Sequence, residues 1–316
     1  MHLCAVNFKK TAGNYLSLIK FSHTIFAMPF AIIGFVIGIE KLRKGSSGSI
    51  STLLQRETVF GFHLSVWSLL LLVILCMVFA RSAAMAFNRY IDEKFDKLNP
   101  RTAVREIPSG KIKKKQALFF VLINCLFFML TTYFINTICF YLSPVALFVI
   151  LFYSYTKRFT ALCHIVLGVG LSLAPIGAYL AVTGVFDWIP ILFSFVVLTW
   201  VGGFDILYAL QDEDFDRGLN LKSIPVWLGR RGALNLSIVL HAVTALLVIG
   251  IGWQVHANWL YVMGAIIFIG LLVYQHYLVK PNDISKVNMA FATTNGIASV
   301  VFAVFVVLEF LTAHSN

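Results

Sequence analysis

Two stretches of this chain set carboxylates four residues apart beside clustered arginine and lysine. The first, AFNRYIDEKFDKLNPRTAVREIPSGKIKKK (86–115), carries Asn88, Asp92 and Asp96 and then turns strongly basic. The second, LYALQDEDFDRGLNLKSIPVWLGRR (207–231), repeats the spacing with Tyr208, Asp212 and Asp216, and Asp205 precedes Tyr208 by three residues. On a helix, residues four apart differ by about 40° in direction and about 6 Å in height, so each trio is expected to form one polar stripe. Two carboxylates about 6 Å apart repel by roughly 3 kcal/mol at an effective dielectric near 20. A divalent ion removes that repulsion. All-oxygen donors with no Cys or His beside them suit Mg²⁺, which keeps several waters and shares its shell with phosphate oxygens. Arg101, Arg105, Lys111, Lys157 and Arg158 lie where they could complete a phosphate clamp. Carboxylates, metal and guanidinium together point to a diphosphate. An EF-hand is the rival for Asp212, Asp214 and Asp216, but its sixth position would be Arg217 instead of Gly and its twelfth Ser223 instead of Glu.

The elements that must position these groups are membrane helices. The 316 residues are 59% hydrophobic and 12% charged, with a mean hydropathy of +0.85, far outside the range of a soluble domain. Nine runs have the length and apolarity of a spanning helix, near 20–40, 62–88, 116–136, 138–156, 162–183, 188–210, 232–253, 257–279 and 287–312. Asn136 and Thr137 alone divide the third run from the fourth, so a tight turn is expected there. The first 15 residues lack an apolar core ending at a small-residue cleavage site, so the first span is expected to remain as an anchor. With a cytoplasmic N-terminus, 21 of the 25 basic residues fall in cytoplasmic segments, counting Arg81 and Arg89 with the second-to-third connection. Both acidic stretches then face the cytoplasm. The net charge of +11 reads as this topology and not as a nucleic-acid surface. Five cysteines show no paired spacing, and neither disulfide nor zinc site is expected.

Several segments carry a family resemblance. Asn-x-x-x-Asp-x-x-x-Asp from Asn88 to Asp96, PRTAVREIPSG after it, YSYTKRFT at Tyr153 to Thr160, DILYALQDEDFD from Asp205 to Asp216 and then KSIPVWLG resemble the UbiA family of membrane aromatic prenyltransferases. The likeness runs from FSHTIFAMPF near Phe21 to the last helix. It implies one all-α polytopic domain over 1–316, a nine-helix bundle with cytoplasmic cap loops and two pseudo-repeated halves, about 17–156 and 160–312. It also implies that a polyprenyl diphosphate is bound through Mg²⁺ and its prenyl chain joined to a small aromatic acid. The expected metal ligands are Asp92, Asp96, Asp212 and Asp216. Asn88 and Tyr208 complete the two shells, Arg101, Arg105, Lys157 and Arg158 hold diphosphate, and Asp205 orients or deprotonates the phenol. The family's first motif is usually Asn-Asp-x-x-Asp, and Arg89 stands at its second position. That departure resembles the branch using 4-hydroxybenzoate or a dihydroxynaphthoate, which would place the chain in ubiquinone or menaquinone synthesis in a bacterial inner membrane.

A secondary transporter is the alternative from another class, since intramembrane carboxylates and internal duplication are expected there too. Transporter sites lie near the bilayer midplane, whereas these acids cluster at one surface beside a basic loop.

Overall fold

A computed structural model describes residues 13–15, 17–18, 26–44 and 64–312. Lys20 and His23, expected as an interfacial lysine and a hydrogen-bonded histidine with an aromatic-carboxylate site as the alternative, and the Ser46–Ser51 loop expected from its composition lie outside the described residues. The helices are α1 (Met28–Lys44), α2 (Val66–Ile91), α3 (Glu93–Leu98), α4 (Lys114–Ile135), α5 (Thr137–Thr156), α6 (Cys163–Thr183), α7 (Trp188–Ala209), α8 (Glu213–Gly218), α9 (Ile224–Gln254), α10 (Trp259–Leu278) and α11 (Asn295–Thr312). A π-helical turn, Met289–Thr294, leads into α11. Eight helical bodies among the described residues are long and apolar enough to cross a membrane, with α7 and α8 forming one of them. Helix α1, with 17 described residues, is the ninth and shortest body. The nine expected runs thus correspond to nine helical bodies among the described residues.

The bundle closes around α6 and α7. Helix α1 lies on α6, α6 on α7, α7 on α9, and α10 with α11 returns to α1, while α2, α4 and α5 complete the other side. Aromatic residues fill the first group: Phe30, Tyr179, Phe193, Trp200, Phe268 and Phe302 are buried together. Trp67, Trp188, Trp253 and Trp259 are exposed near the helix ends remote from the acidic stretches, and Trp227 and Tyr277 near the opposite ends. Rings of this kind at both ends mark the two membrane–water boundaries.

Local chemistry explains the connections. Asn136 ends α4 and caps α5, its side chain accepting from Cys139 N at 2.8 Å. Its amide donates to Leu180 O and Ala181 O at 2.9 and 3.2 Å, tying the expected tight turn to α6. Helix α9 departs from expectation. It begins at Ile224, after a Ser223 cap, and breaks at Gly229, whose φ of 67° and ψ of 173° cannot continue a helix. Arg230 and Arg231, expected in a loop, therefore sit on the helix past that break.

Close approach requires glycine at two contacts of α6, one supplied by α1 and one by α6 itself. A Cβ on Gly34 of α1 would lie 2.0 Å from the Pro175 carbonyl oxygen, and one on Gly168 2.5 Å from that of Leu198 on α7. Gly177, on the same helix, faces open space. Gly34→Ala should lower stability by about 1–3 kcal/mol, because the obstacle is backbone and cannot rotate away. Gly177→Ala should leave it unchanged or raise it by up to about 1 kcal/mol. Thermal unfolding in detergent reads both, and equal melting temperatures would refute the close packing.

Candidate active site

Both acidic stretches break their helices at the middle carboxylate. Asp92, at φ −88° and ψ 6°, ends α2 and starts α3. Helix α7 ends at Ala209 and passes through a 3₁₀ turn, Leu210–Asp212, before Asp212, at φ −104° and ψ 2°, starts α8. The unbroken stripes expected from the spacing are therefore corrected: each is bent at its centre. The physical reason is charge placement. Glu93 and Asp96 fall in the first turn of α3, and Glu213, Asp214 and Asp216 in that of α8, where the helix dipole favours anions. In an uninterrupted helix the same residues would crowd its unfavourable C-terminal end.

The two breaks face each other, and each of the four expected metal-binding carboxylates carries a cation. Arg101, from the first connection, reaches across to Asp212 with Nε–Oδ1 and Nη2–Oδ2 distances of 3.1 and 2.5 Å, and donates to the Tyr208 hydroxyl at 3.2 Å. Arg105 holds both oxygens of Asp96, at 2.9 and 3.0 Å. Lys157 lies 2.7 Å from the fully buried Asp216. Arg158 lies 3.5 Å from Asp92 and donates to Ile91 O at 2.8 Å, closing the end of α2. Asn88 donates to Asp92 at 3.1 Å. Burial pushes the Asp92 carboxyl up to about 6, with Asp96 adding to the rise and Lys157 and Arg158 opposing it. Lys111, also expected in the clamp, is exposed beyond Gly110 and forms no ion pair with the four carboxylates.

The connection carrying these arginines is itself anchored. Arg89, buried at 3% exposure, pairs with the buried Glu106, which also accepts from the Ser17 hydroxyl. Arg89 is thus turned to the connection, which gives the departure at this motif position a structural role. Ile107 and Ile112 pack on Ala83, Ala86 and Val121. Asn99 donates to Asp212 at 3.2 Å while its oxygen accepts from Arg101 N at 3.0 Å. Lys222 N donates to Lys157 O at 2.8 Å, joining the second acidic stretch to the α5–α6 turn.

Deeper in the bundle, Asp205 is a turn below Tyr208 and its Oδ2 is 2.8 Å from His164 Nδ1. A cavity of about 360 Å³ runs between α2, α4, α5 and α6, from Arg81, Ala84 and Tyr153 at the acidic end to Val73, Ile135 and Phe186 at the other. Arg81 is a finding against expectation, because it lies inside the membrane helix and not in the basic connection. Its Nε is buried without a hydrogen-bond partner among the described residues. Tyr153 lies within electrostatic reach of Arg81, Asp92 and Asp205. Arg81 interrupts the apolar run VILCMVFARSAAMAF, a signal that was available in the sequence. His164 and Asn99 carried no such signal, since their partners lie 41 and 113 residues away.

Among the described residues no three His, Cys, Asp or Glu side chains are grouped closely enough to hold a metal alone. The donors fit Mg²⁺ in kind, being two pairs of carboxylates with amide and hydroxyl oxygens beside them. They leave most of an octahedral shell to other ligands, as Mg²⁺ prefers.

Helices of this length and apolarity define an integral membrane protein, and the two acidic breaks with their paired cations are gathered at one end of it. The UbiA prenyltransferase family matches residues 59–307, and the chain belongs to that family. It is a prenyltransferase, and the transporter reading is set aside. It is 33% identical over 238 residues to the 4-hydroxybenzoate octaprenyltransferase of Aliivibrio salmonicida (strain LFI1238), covering 75% of this chain and 82% of that one. To the same-named protein of Citrobacter koseri (strain ATCC BAA-895 / CDC 4225-83 / SGSC4696) it is 33% identical over 227 residues, covering 70% and 76%. The fold matches the apo structure of a UbiA homolog from Aeropyrum pernix K1 with a TM-score of 0.72 at 24% identity, covering 92% of this chain and 98% of that one. A UbiA homolog from Archaeoglobus fulgidus bound to GPP and Mg²⁺ matches with a TM-score of 0.62 at 20% identity, over 94% and 99%.

Breaking the Arg89–Glu106 pair strands a buried charge. Arg89→Met and Glu106→Gln should each cost about 3–5 kcal/mol and expose the 99–113 connection to protease. The double variant should recover most of that loss. Limited proteolysis and thermal unfolding in detergent check it, and additive losses would refute the pairing.

Proposed function

We propose that this protein transfers a polyprenyl group from a polyprenyl diphosphate to a small aromatic acid of the 4-hydroxybenzoate kind. Diphosphate is released, and the product enters quinone synthesis. The reaction takes place at the cytoplasmic face of a bacterial inner membrane, in a single domain whose two halves each contribute one acidic break. The observation that carries this reading is the pairing of Asp92, Asp96, Asp212 and Asp216 with Arg158, Arg105, Arg101 and Lys157 across the two breaks.

Each partner has a second use. Arg and Lys side chains that neutralise carboxylates are equally phosphate ligands, and guanidinium binds phosphate in two-point fashion. Asp92 and Asp96 with Asn88, and Asp212 and Asp216 with Tyr208, would hold Mg²⁺, and the cations paired with them would be free to bind the diphosphate. When bound, the metal supplies charge neutralisation on the leaving oxygens. The cations add to it where negative charge develops, and loss of diphosphate leaves an allylic cation that an electron-rich ring attacks. Tyr153 and the apolar cavity walls exclude water from that cation.

Arg81 supports an acidic acceptor. A guanidinium inside a membrane helix with an unpaired nitrogen costs several kcal/mol, and a substrate carboxylate removes that cost. Both 4-hydroxybenzoate and a dihydroxynaphthoate bring a carboxylate and a phenol. The names of the relatives favour the first.

Asp92→Asn and Asp212→Asn should each lower Mg²⁺-dependent diphosphate release by about 100-fold or more, the scale of several kcal/mol of charge stabilisation. Turnover retained in either would sink the metal assignment. Arg81→Gln should raise KM for the aromatic acid by about 10-fold or more while leaving KM for the prenyl diphosphate within about 2-fold, since one charged hydrogen bond is lost. Membranes supplied with each acid and a short prenyl diphosphate, with products identified by mass, separate the two acceptors. Exclusive product from the naphthoate would replace the 4-hydroxybenzoate reading.

A further inference from the structure

His164 sits in the first turn of α6, 4% exposed, with Nδ1 2.8 Å from Asp205 Oδ2 on α7 and Nε2 buried without a hydrogen-bond partner among the described residues. An ionisable pair inside a membrane bundle is costly, and α6 and α7 do not need it to stay together. Their contact is already made by Gly168 against the Leu198 carbonyl. The pair also stands in a specific place. Asp205, its side chain 21% exposed, lies one turn below Tyr208, and Tyr153 at the head of the cavity is within electrostatic reach of Asp205, Arg81 and Asp92. His164 ties one oxygen of Asp205 and leaves the other for a ligand.

We infer that His164 is a positioning residue that aims Asp205 at the acceptor's phenol and supports it as the proton acceptor during carbon–carbon bond formation. This inference rests on the proposal that an aromatic acid occupies the cavity below the two breaks. With the acid's carboxylate at Arg81, its phenol is presented toward the acidic end. The phenol gives its proton to Asp205 as the adjacent ring carbon bonds to the first carbon of the prenyl chain and the carbon–oxygen bond to diphosphate breaks. The ring is then a dienone. It regains aromaticity when the hydrogen on the newly substituted carbon leaves to the departing diphosphate and Asp205 returns its proton to the oxygen. One proton is released per turnover. His164 takes no part in bond making; its N–H stabilises the Asp205 carboxylate and fixes its rotamer, the role a hydrogen-bonded partner plays for a catalytic base.

The test uses the full chain in membranes with 4-hydroxybenzoate or 3-fluoro-4-hydroxybenzoate, whose phenol is more acidic and which keeps one free ring position beside it. Asp205→Asn should lower kcat by about 100-fold or more, the usual range for removing a general base. His164→Ala should lower it by about 10–100-fold, as loss of an orienting partner does, with KM for prenyl diphosphate unchanged. His164→Gln, which keeps a donor, should recover most of the loss. The deficit of His164→Ala relative to the unsubstituted protein should shrink with the fluorinated acid. Wild-type kcat in His164→Ala beside an inactive Asp205→Asn would overturn the role of His164 and spare that of Asp205. A His164→Ala deficit that Gln does not recover and that is equal for both acids would also overturn it, as a packing defect. Full activity in Asp205→Asn would remove the acceptor reading itself.

Discussion

An ionised group at the edge of a hydrocarbon layer must keep a counter-charge, and this structure is arranged around that requirement. Four carboxylates stand at one end of an apolar bundle, and every one has an arginine or lysine against it. Three of those contacts tie separate parts of the chain together, Arg101 to Asp212, Lys157 to Asp216 and Arg158 to Asp92. The helix breaks, the anchored 99–113 connection and the α5–α6 turn all follow from the need to bring those charges within reach. Were the cations elsewhere, burial and mutual repulsion would hold the carboxyls neutral, as the rise at Asp92 already indicates.

The rest of the bundle serves this end by being rigid. Aromatic packing among α1, α7, α10 and α11 and the backbone contact at Gly34 leave little freedom around α6 and α7. The cavity lies on the other side, between α2, α4, α5 and α6, where the walls are smaller and apolar. Arg81 and Tyr153 mark the point at which that apolar space meets the charged end. A substrate with a long hydrocarbon tail and an ionised head has the same division of properties.

Much of this could be read from the chain. The spans, the Asn136 turn and both acidic trios are local patterns, set by apolar run length and by spacing along one helix. The bends at Asp92 and Asp212 were not legible, because four-residue spacing reads as continuous helix whether or not the backbone pauses at the middle residue. Arg81 was misplaced because a single basic residue near a basic segment is easily assigned to it, although its neighbours are apolar on both sides. His164 was invisible for a different reason: a pair made between helices leaves no pattern in either one. Arg89 stood out as an irregular motif position, and only the contact with Glu106, 17 residues on, gives it a purpose.

The ion pairs also bear on how ligands arrive. On the proposed reading, a metal ion approaching alone meets carboxylates already neutralised, and a diphosphate approaching alone meets cations already engaged. Each ligand frees what the other requires, so their binding is linked and each tightens the other by the same factor. A free pool of either one is therefore a weak competitor, and the site responds to the metal–diphosphate complex as a unit. The resting network acts as a coincidence detector built from ordinary salt bridges.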